Sequence, residues 1–145
     1  MPTINRSALV PYTPREMFAL VDDVGAYPQF LPWCKNARVL SRDADEVRAS
    51  LVLARGGFEK SFTTCNRLQK NKMIEMRLVE GPFRHLDGFW RFDPIGGQGC
   101  KVSLDLDFEF SNKIVGMAFG PVFNQIANTL VDSFCKRAVD VFGKR

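Results

Sequence analysis

The stretch Lys101-Val102-Ser103-Leu104-Asp105-Leu106-Asp107-Phe108-Glu109-Phe110 alternates without a break: Val102, Leu104, Leu106, Phe108 and Phe110 fall on one side of an extended chain, Ser103, Asp105, Asp107 and Glu109 on the other. Successive side chains of a strand point to opposite faces, so this is a strand with one buried face and one wet face. Working back from it, a period of two runs from residue 36 to 111. Turn signals interrupt it at Arg42-Asp43-Ala44-Asp45, Gly56-Gly57, Lys70-Asn71-Lys72, Gly81-Pro82 and Gly96-Gly97-Gln98-Gly99. Six strands joined by such short turns predict an antiparallel meander, and its inner face requires a second apolar layer.

The residues that follow supply that layer. Phe123, Ile126, Leu130, Phe134, Ala138 and Val141 recur at intervals of three and four, opposite Asn124, Asn128, Asp132, Lys136 and Asp140. This is an amphipathic helix. From Pro121 to about Phe142 it spans roughly 33 Å at 1.5 Å per residue, enough to cross a sheet. Asn112 to Gly120 predict a separate helical piece, offset at Gly120-Pro121, because proline removes a helix hydrogen bond. Ahead of the meander, residues 3 to 10 predict a first strand. Thr13-Pro14-Arg15-Glu16 is a capping box with proline at the first helical position, opening a short helix that reaches about Asp23 before Gly25 stops it. Tyr27 to Cys34, punctuated by Pro28 and Pro32, predict a helical turn and loop.

With 145 residues and 46% hydrophobic composition, the chain has room for a single domain over residues 1–145. Thirteen phenylalanines against two tyrosines favour a core or cavity lined by hydrocarbon over a polar binding surface. The net charge of +4 permits contact with nucleic acid or anionic lipid without requiring it, and Lys and Arg form no run. Cys34, Cys65, Cys100 and Cys135 form no CxxC pair, and the start carries no secretory or transit signal, so reduced thiols in the cytoplasm are expected. No apolar run approaches the length of a spanning helix, which leaves peripheral contact with the inner membrane face as the expected limit of membrane association.

Three stretches carry a resemblance: Tyr27-Pro28-Gln29-Phe30-Leu31-Pro32-Trp33-Cys34, Gly81 to Phe92 (Gly-Pro-Phe-Arg-His-Leu-Asp-Gly-Phe-Trp-Arg-Phe), and Phe134-Cys135-Lys136-Arg137-Ala138. Together they resemble the coenzyme Q-binding branch of the START-like, helix-grip superfamily, which also holds bacterial ribosome association toxins and polyketide cyclases. The resemblance covers nearly the whole chain. It implies an α+β fold in which a seven-stranded curved antiparallel sheet wraps a long C-terminal helix, with a short helical insert after the first strand. It also implies non-enzymatic binding of ubiquinone or another isoprenoid quinone in support of respiratory electron transport. Two alternatives follow from the same branch: a toxin that binds RNA or protein of the large ribosomal subunit, and a cyclase-like enzyme. DNA is not an expected partner.

Residue chemistry gives catalysis little support. His85 is the single histidine, so a metal cluster built on several histidines is excluded, and no nucleophile with an orienting partner lies nearby in sequence. Asp105, Asp107 and Glu109 share an outer strand face and are expected in water opposite cross-strand bases, with Arg91 a candidate. Gly96-Gly97-Gln98-Gly99 is a hairpin turn and not a phosphate loop, since no helix follows it. An apolar stripe is needed for folding in any case, so composition alone does not separate ligand lining from core. Under the resemblance, the expected lining is Leu106, Phe108 and Phe110, Leu86 and Trp90, and Phe123, Ile126, Leu130 and Phe134. Phe30, Leu31, Trp33 and Phe83, in proline-containing stretches, are expected to form a mobile mouth that meets the bilayer interface.

Overall fold

The computed structural model describes residues 3–55 and 57–145. Gly56, half of one expected turn, lies outside the described residues. In chain order the elements are β1 (Thr3–Val10), α1 (Pro14–Asp22), a 3-10 helix (Val24–Gln29), β2 (Cys34–Arg42), β3 (Glu46–Arg55), β4 (Phe58–Gln69), β5 (Met73–Glu80), β6 (Phe83–Ile95), β7 (Gly99–Phe110) and α2 (Lys113–Phe142). The seven strands form one sheet in the order β1-β7-β6-β5-β4-β3-β2, antiparallel throughout. Strands β2 to β7 follow sequence order because tight turns join them. Asn71, at φ 64°, makes one such turn and Gly96, at φ 61°, another.

The first strand closes the meander by pairing with the last, from Thr3 opposite Asp107 to Val10 opposite Cys100. Thr13 caps α1 as its sequence requires. Its hydroxyl accepts from the Glu16 backbone N–H at 3.1 Å while the Glu16 carboxylate accepts from the Thr13 N–H at 3.0 Å. Met17, Phe18 and Val21 are the buried face of this helix, packed on Phe92, Val102 and Ala138.

The final helix differs from expectation. It is continuous over 30 residues, about 45 Å, with no offset at Pro121. Asn112 caps it by accepting from the Val115 N–H at 2.9 Å. The carbonyl that Pro121 leaves without its i+4 donor belongs to Met117, which is 78% exposed, so the lost hydrogen bond falls at a solvent-exposed residue of the helix. By length and composition α2 is also apolar enough to cross a membrane, which the absence of an unbroken apolar run had not predicted. Its apolar face, from Phe119 through Phe123, Ile126, Val131 and Phe134 to Ala138, is buried in this fold.

At Gly88 the sheet is drawn tight. A Cβ built there would stand 2.7 Å from the Asp105 carbonyl oxygen and 2.8 Å from Leu106 Cδ1, so β6 approaches β7 more closely than any side chain permits.

Candidate functional site

Inward-facing positions on adjacent strands meet in register: Ala49 opposite Thr64, Leu51 opposite Phe62, Asn66 opposite Met76, and Trp90 opposite Leu104. Helix α2 covers this concave face without filling it. Between them lies a cavity of about 80 Å³ within a larger cleft of about 740 Å³ that includes its open side. Ala49, Leu51 and Leu53 from β3, Phe62, Thr64 and Asn66 from β4, and Met76 from β5 form its floor. Leu86, Trp90 and Leu106 continue the floor onto β6 and β7, and Phe123, Ile126, Ala127, Leu130 and Phe134 of α2 form the roof. Val24, Tyr27 and Trp33 close it on the side of the 3-10 helix.

Of the side chains expected to line a ligand site, Trp33, Leu86, Trp90, Leu106, Phe123, Ile126, Leu130 and Phe134 do line this cavity. Phe30, Leu31, Phe83, Phe108 and Phe110 pack elsewhere. Phe83 is the hub of a solid aromatic cluster, its ring centroid 5.8 Å from Phe62, 5.2 Å from Phe110 and 5.0 Å from Phe123. Phe108 stands 4.8 Å from Phe123 and is fully buried.

The four residues expected at a mobile mouth are buried or half-buried in this structure. Leu31 is 0%, Trp33 7% and Phe83 5% exposed, and Phe83 is the first residue of β6 and not part of a loop. Beside Pro28 and Pro32, which face solvent, the side chains of Leu31 and Trp33 turn into the protein. Phe30 is half-buried beneath Arg137, whose guanidinium lies 4.9 Å from the ring centroid and also donates to Gln29 Oε1 at 3.1 Å. The 3-10 segment is thus strapped to α2, with Tyr27 and Phe30 both edge-on to Phe134 at 5.4 and 5.3 Å.

Three lining residues that the sequence reading missed differ from the rest. Thr64 and Asn66 face inward together because they are two apart on β4, and the Thr64 hydroxyl donates to Asn66 Oδ1 at 3.0 Å. Tyr27 donates its phenolic proton to the Val21 carbonyl, and burial pushes that phenol far above its ordinary range. The period of two on β3 and β4 was a signal that would have placed Ala49, Leu51, Phe62, Thr64 and Asn66 on the inner face. Their mixed polarity hid it.

The sequence-selected polar residues lie on the opposite, outer face of the sheet. His85 stands between Asp107 at 3.7 Å and Glu109 at 3.8 Å, and Arg84 reaches Glu109 at 3.2 Å. Asp105 is met by Asn5 of β1. Arg91 is opposite Ser103 and lies 4.6 Å over the Phe89 ring, so it is not the partner of these acids. No group of three or more metal-ligating side chains gathers among the described residues. Burial raises the Cys34 and Cys100 thiols to about 11, so both are neutral at physiological pH.

A curved antiparallel sheet that holds a long C-terminal helix over an apolar cavity defines a START-like, helix-grip domain. The chain belongs to the family described as polyketide cyclase / dehydrase and lipid transport, which matches residues 10–135. It is 44% identical over 145 residues, 100% of this chain and 92% of the other, to the ribosome association toxin RatA of Escherichia coli. A more distant relative is the mitochondrial coenzyme Q-binding protein coq10 of Schizosaccharomyces pombe, 27% identical over 141 residues, 91% of this chain and 84% of the other. Among solved structures, the Zhui aromatase/cyclase from Streptomyces sp. R1128 superposes with a TM-score of 0.82 at 16% identity, covering 99% of each chain, a likeness of fold alone.

Proposed function

We propose that this chain is a non-enzymatic binding protein that takes a lipophilic ligand, an isoprenoid quinone such as ubiquinone, into the cavity between sheet and α2. The observation that carries the reading is the lining itself: apolar but for Tyr27, Thr64 and Asn66, with no carboxylate, histidine or lysine among the residues that form it. Such a surface binds by removing hydrocarbon from water, worth roughly 25 cal/mol per Å² before the entropy of association is subtracted. It offers no acid or base that titrates near neutrality, which favours binding over cyclase chemistry. The relation to coq10 supports the choice of a quinone.

The cavity of about 80 Å³ is smaller than a substituted quinone ring and its tail, so entry requires side chains to yield and the tail to lie along the cleft. Met76 and Leu130, both partly buried, are the lining residues best able to give way. The chain has two tryptophans, and both line the cavity. Titration with a short-chain ubiquinone analogue is therefore expected to quench intrinsic fluorescence saturably. Fluorescence that stays unchanged across the titration argues against occupancy.

A second reading is favoured by a different observation, the 44% identity to RatA along the full chain. On that reading the protein docks on the large ribosomal subunit and blocks subunit association. The outer face of β6 and β7 is a poor candidate for contact with RNA, because Asp87, Asp105, Asp107 and Glu109 stand together there. Co-sedimentation with isolated large subunits on sucrose gradients tests the proposal, and RNA contact predicts steep weakening with salt. Quinone uptake is expected to be insensitive to salt, so the two activities separate in one set of experiments.

A further inference from the structure

The first turns of α2 are apolar on every side. Phe119, Gly120 and Phe123 form the buried face, with Val115 and Val122 half-buried beside them. On the other side Ile114, Met117, Ala118 and Pro121 are exposed, and their spacing of i, i+3, i+4 and i+7 makes them one stripe of the helix. Ile114 at 79% and Met117 at 78% are the most exposed large apolar side chains among the described residues. No charged residue follows Lys113 until Asp132. A helix apolar all round is ordinarily enclosed by protein or by lipid, and in this fold the stripe is enclosed by neither.

The antiparallel ladders show what stands around it. Arg55 lies opposite Phe58, Glu80 opposite Thr63 and Phe83 opposite Phe110, so the β3–β4 and β5–β6 turns share one end of the sheet with the start of α2. The Ser111 N–H joins them by donating to the Pro82 carbonyl at 3.0 Å. Arg55 and Lys60, which follows the inward row of β4 opposite Leu53, fall on the side of the sheet that α2 covers, whereas Asp107 and Glu109 point to the other face. Lys35 and Arg84 at this end are paired with Glu59 and Glu109. The exposed Arg55, Lys60 and Lys113 have no salt-bridge partner among the described residues. A narrow apolar ridge thus shares its end of the molecule with unpaired positive charge. We infer that the N-terminal turns of α2 dock this protein on an anionic lipid surface, with Ile114 and Met117 entering the interface and Arg55, Lys60 and Lys113 meeting the headgroup phosphates. Four side chains on one convex helix are few against the roughly 800 Å² per partner that a stable protein interface buries, which disfavours a second copy or a folded partner. Shallow insertion of a few apolar side chains with neighbouring cations suffices for peripheral binding to a bilayer. The inference goes beyond the cavity reading and does not depend on which molecule fills the cavity.

Flotation of the purified protein with vesicles of phosphatidylethanolamine and phosphatidylglycerol, beside vesicles of phosphatidylcholine alone, tests the inference. The expected result is binding to the anionic vesicles that weakens on the neutral ones and at raised salt. The double variant Ile114→Gln, Met117→Gln is expected to bind about tenfold more weakly or worse with an unchanged urea midpoint, since both side chains are exposed. Lys113→Gln is expected to weaken binding by about fivefold. Leu9→Gln removes a comparably exposed apolar side chain, at 72%, from the far end of β1 and is expected to leave binding unchanged. Failure of the unmodified protein to float with anionic vesicles, undiminished flotation of the folded double variant, or an equal loss in Leu9→Gln overturns the assignment. Co-sedimentation with large ribosomal subunits that depends on Ile114 and Met117, while vesicles stay unbound, overturns it in favour of a ribosomal contact. The cavity reading is decided separately, by the quinone titration.

Discussion

Glu16 ties the start of α1 to the end of the chain. Its carboxylate receives both Arg145 Nη groups at 2.7 Å as well as the Thr13 backbone N–H. The Arg145 hydrogen bonds, followed by that from Thr13, lower its pKa from 4.5 to about 2. A carboxylate depressed in the folded state stabilises above its unfolded pKa, and that contribution disappears as pH falls through the folded value. Urea midpoints of the wild type and of Glu16→Gln are therefore expected to differ at pH 7 and to converge between pH 4.5 and about 2. A gap that persists at pH 2 would place the effect elsewhere. Thr13→Ala removes the reciprocal half of the cap and is expected to cost about 1 kcal/mol in the same assay. This capping box was legible at sight, because Thr and Glu at a fixed spacing beside a proline have one good conformation. The Arg145 contact was not, since a partner 129 residues away leaves no local pattern. The neutral, buried Cys34 and Cys100 thiols are expected to resist a thiol reagent at pH 7 in the native protein and to react once it is unfolded in urea.

Among the elements, α2 and the β6–β7 pair decide the shape of the cavity. Phe134 is the keystone of its roof, with ring centroids 5.2 Å from Trp90 and 5.3 Å from Phe30. Phe134→Ala is expected to destabilise the fold by about 3–5 kcal/mol by denaturant titration. Gly88→Ala is expected to cost about 1–3 kcal/mol, because the new methyl meets the Asp105 carbonyl and the sheet must spread to admit it. A neutral result at Gly88 would mean that the two strands separate there with little resistance. Strands and helix were readable from period two and period 3.6 because each buries one face. The continuity of α2 was not. A proline in a sequence marks a lost hydrogen bond, and only the structure shows that the loss falls at the exposed Met117. The apolar residues around Pro28 and Pro32 misled for a related reason: prolines announce a loop but do not say which way its side chains turn.

For the whole molecule, the consequence of the fold is an interior divided between solid packing and free space. Around Phe83 the aromatic rings fill their layer, whereas beneath Leu130 and Phe134 they leave a cavity open to one side. The amino-acid pattern placed Leu86, Trp90, Leu106 and the α2 face toward this interior. It could not separate the half that is filled from the half that is vacant, because that depends on how far the sheet curves away from α2. The most direct test of the account is native mass spectrometry of the protein incubated with decylubiquinone and freed of excess ligand, recorded beside a Leu130→Trp variant that fills the cavity. The account predicts a 1:1 adduct for the wild type that is lost in the variant. A wild-type spectrum showing only the bare chain, or an adduct that persists unchanged when the cavity is filled, would contradict it.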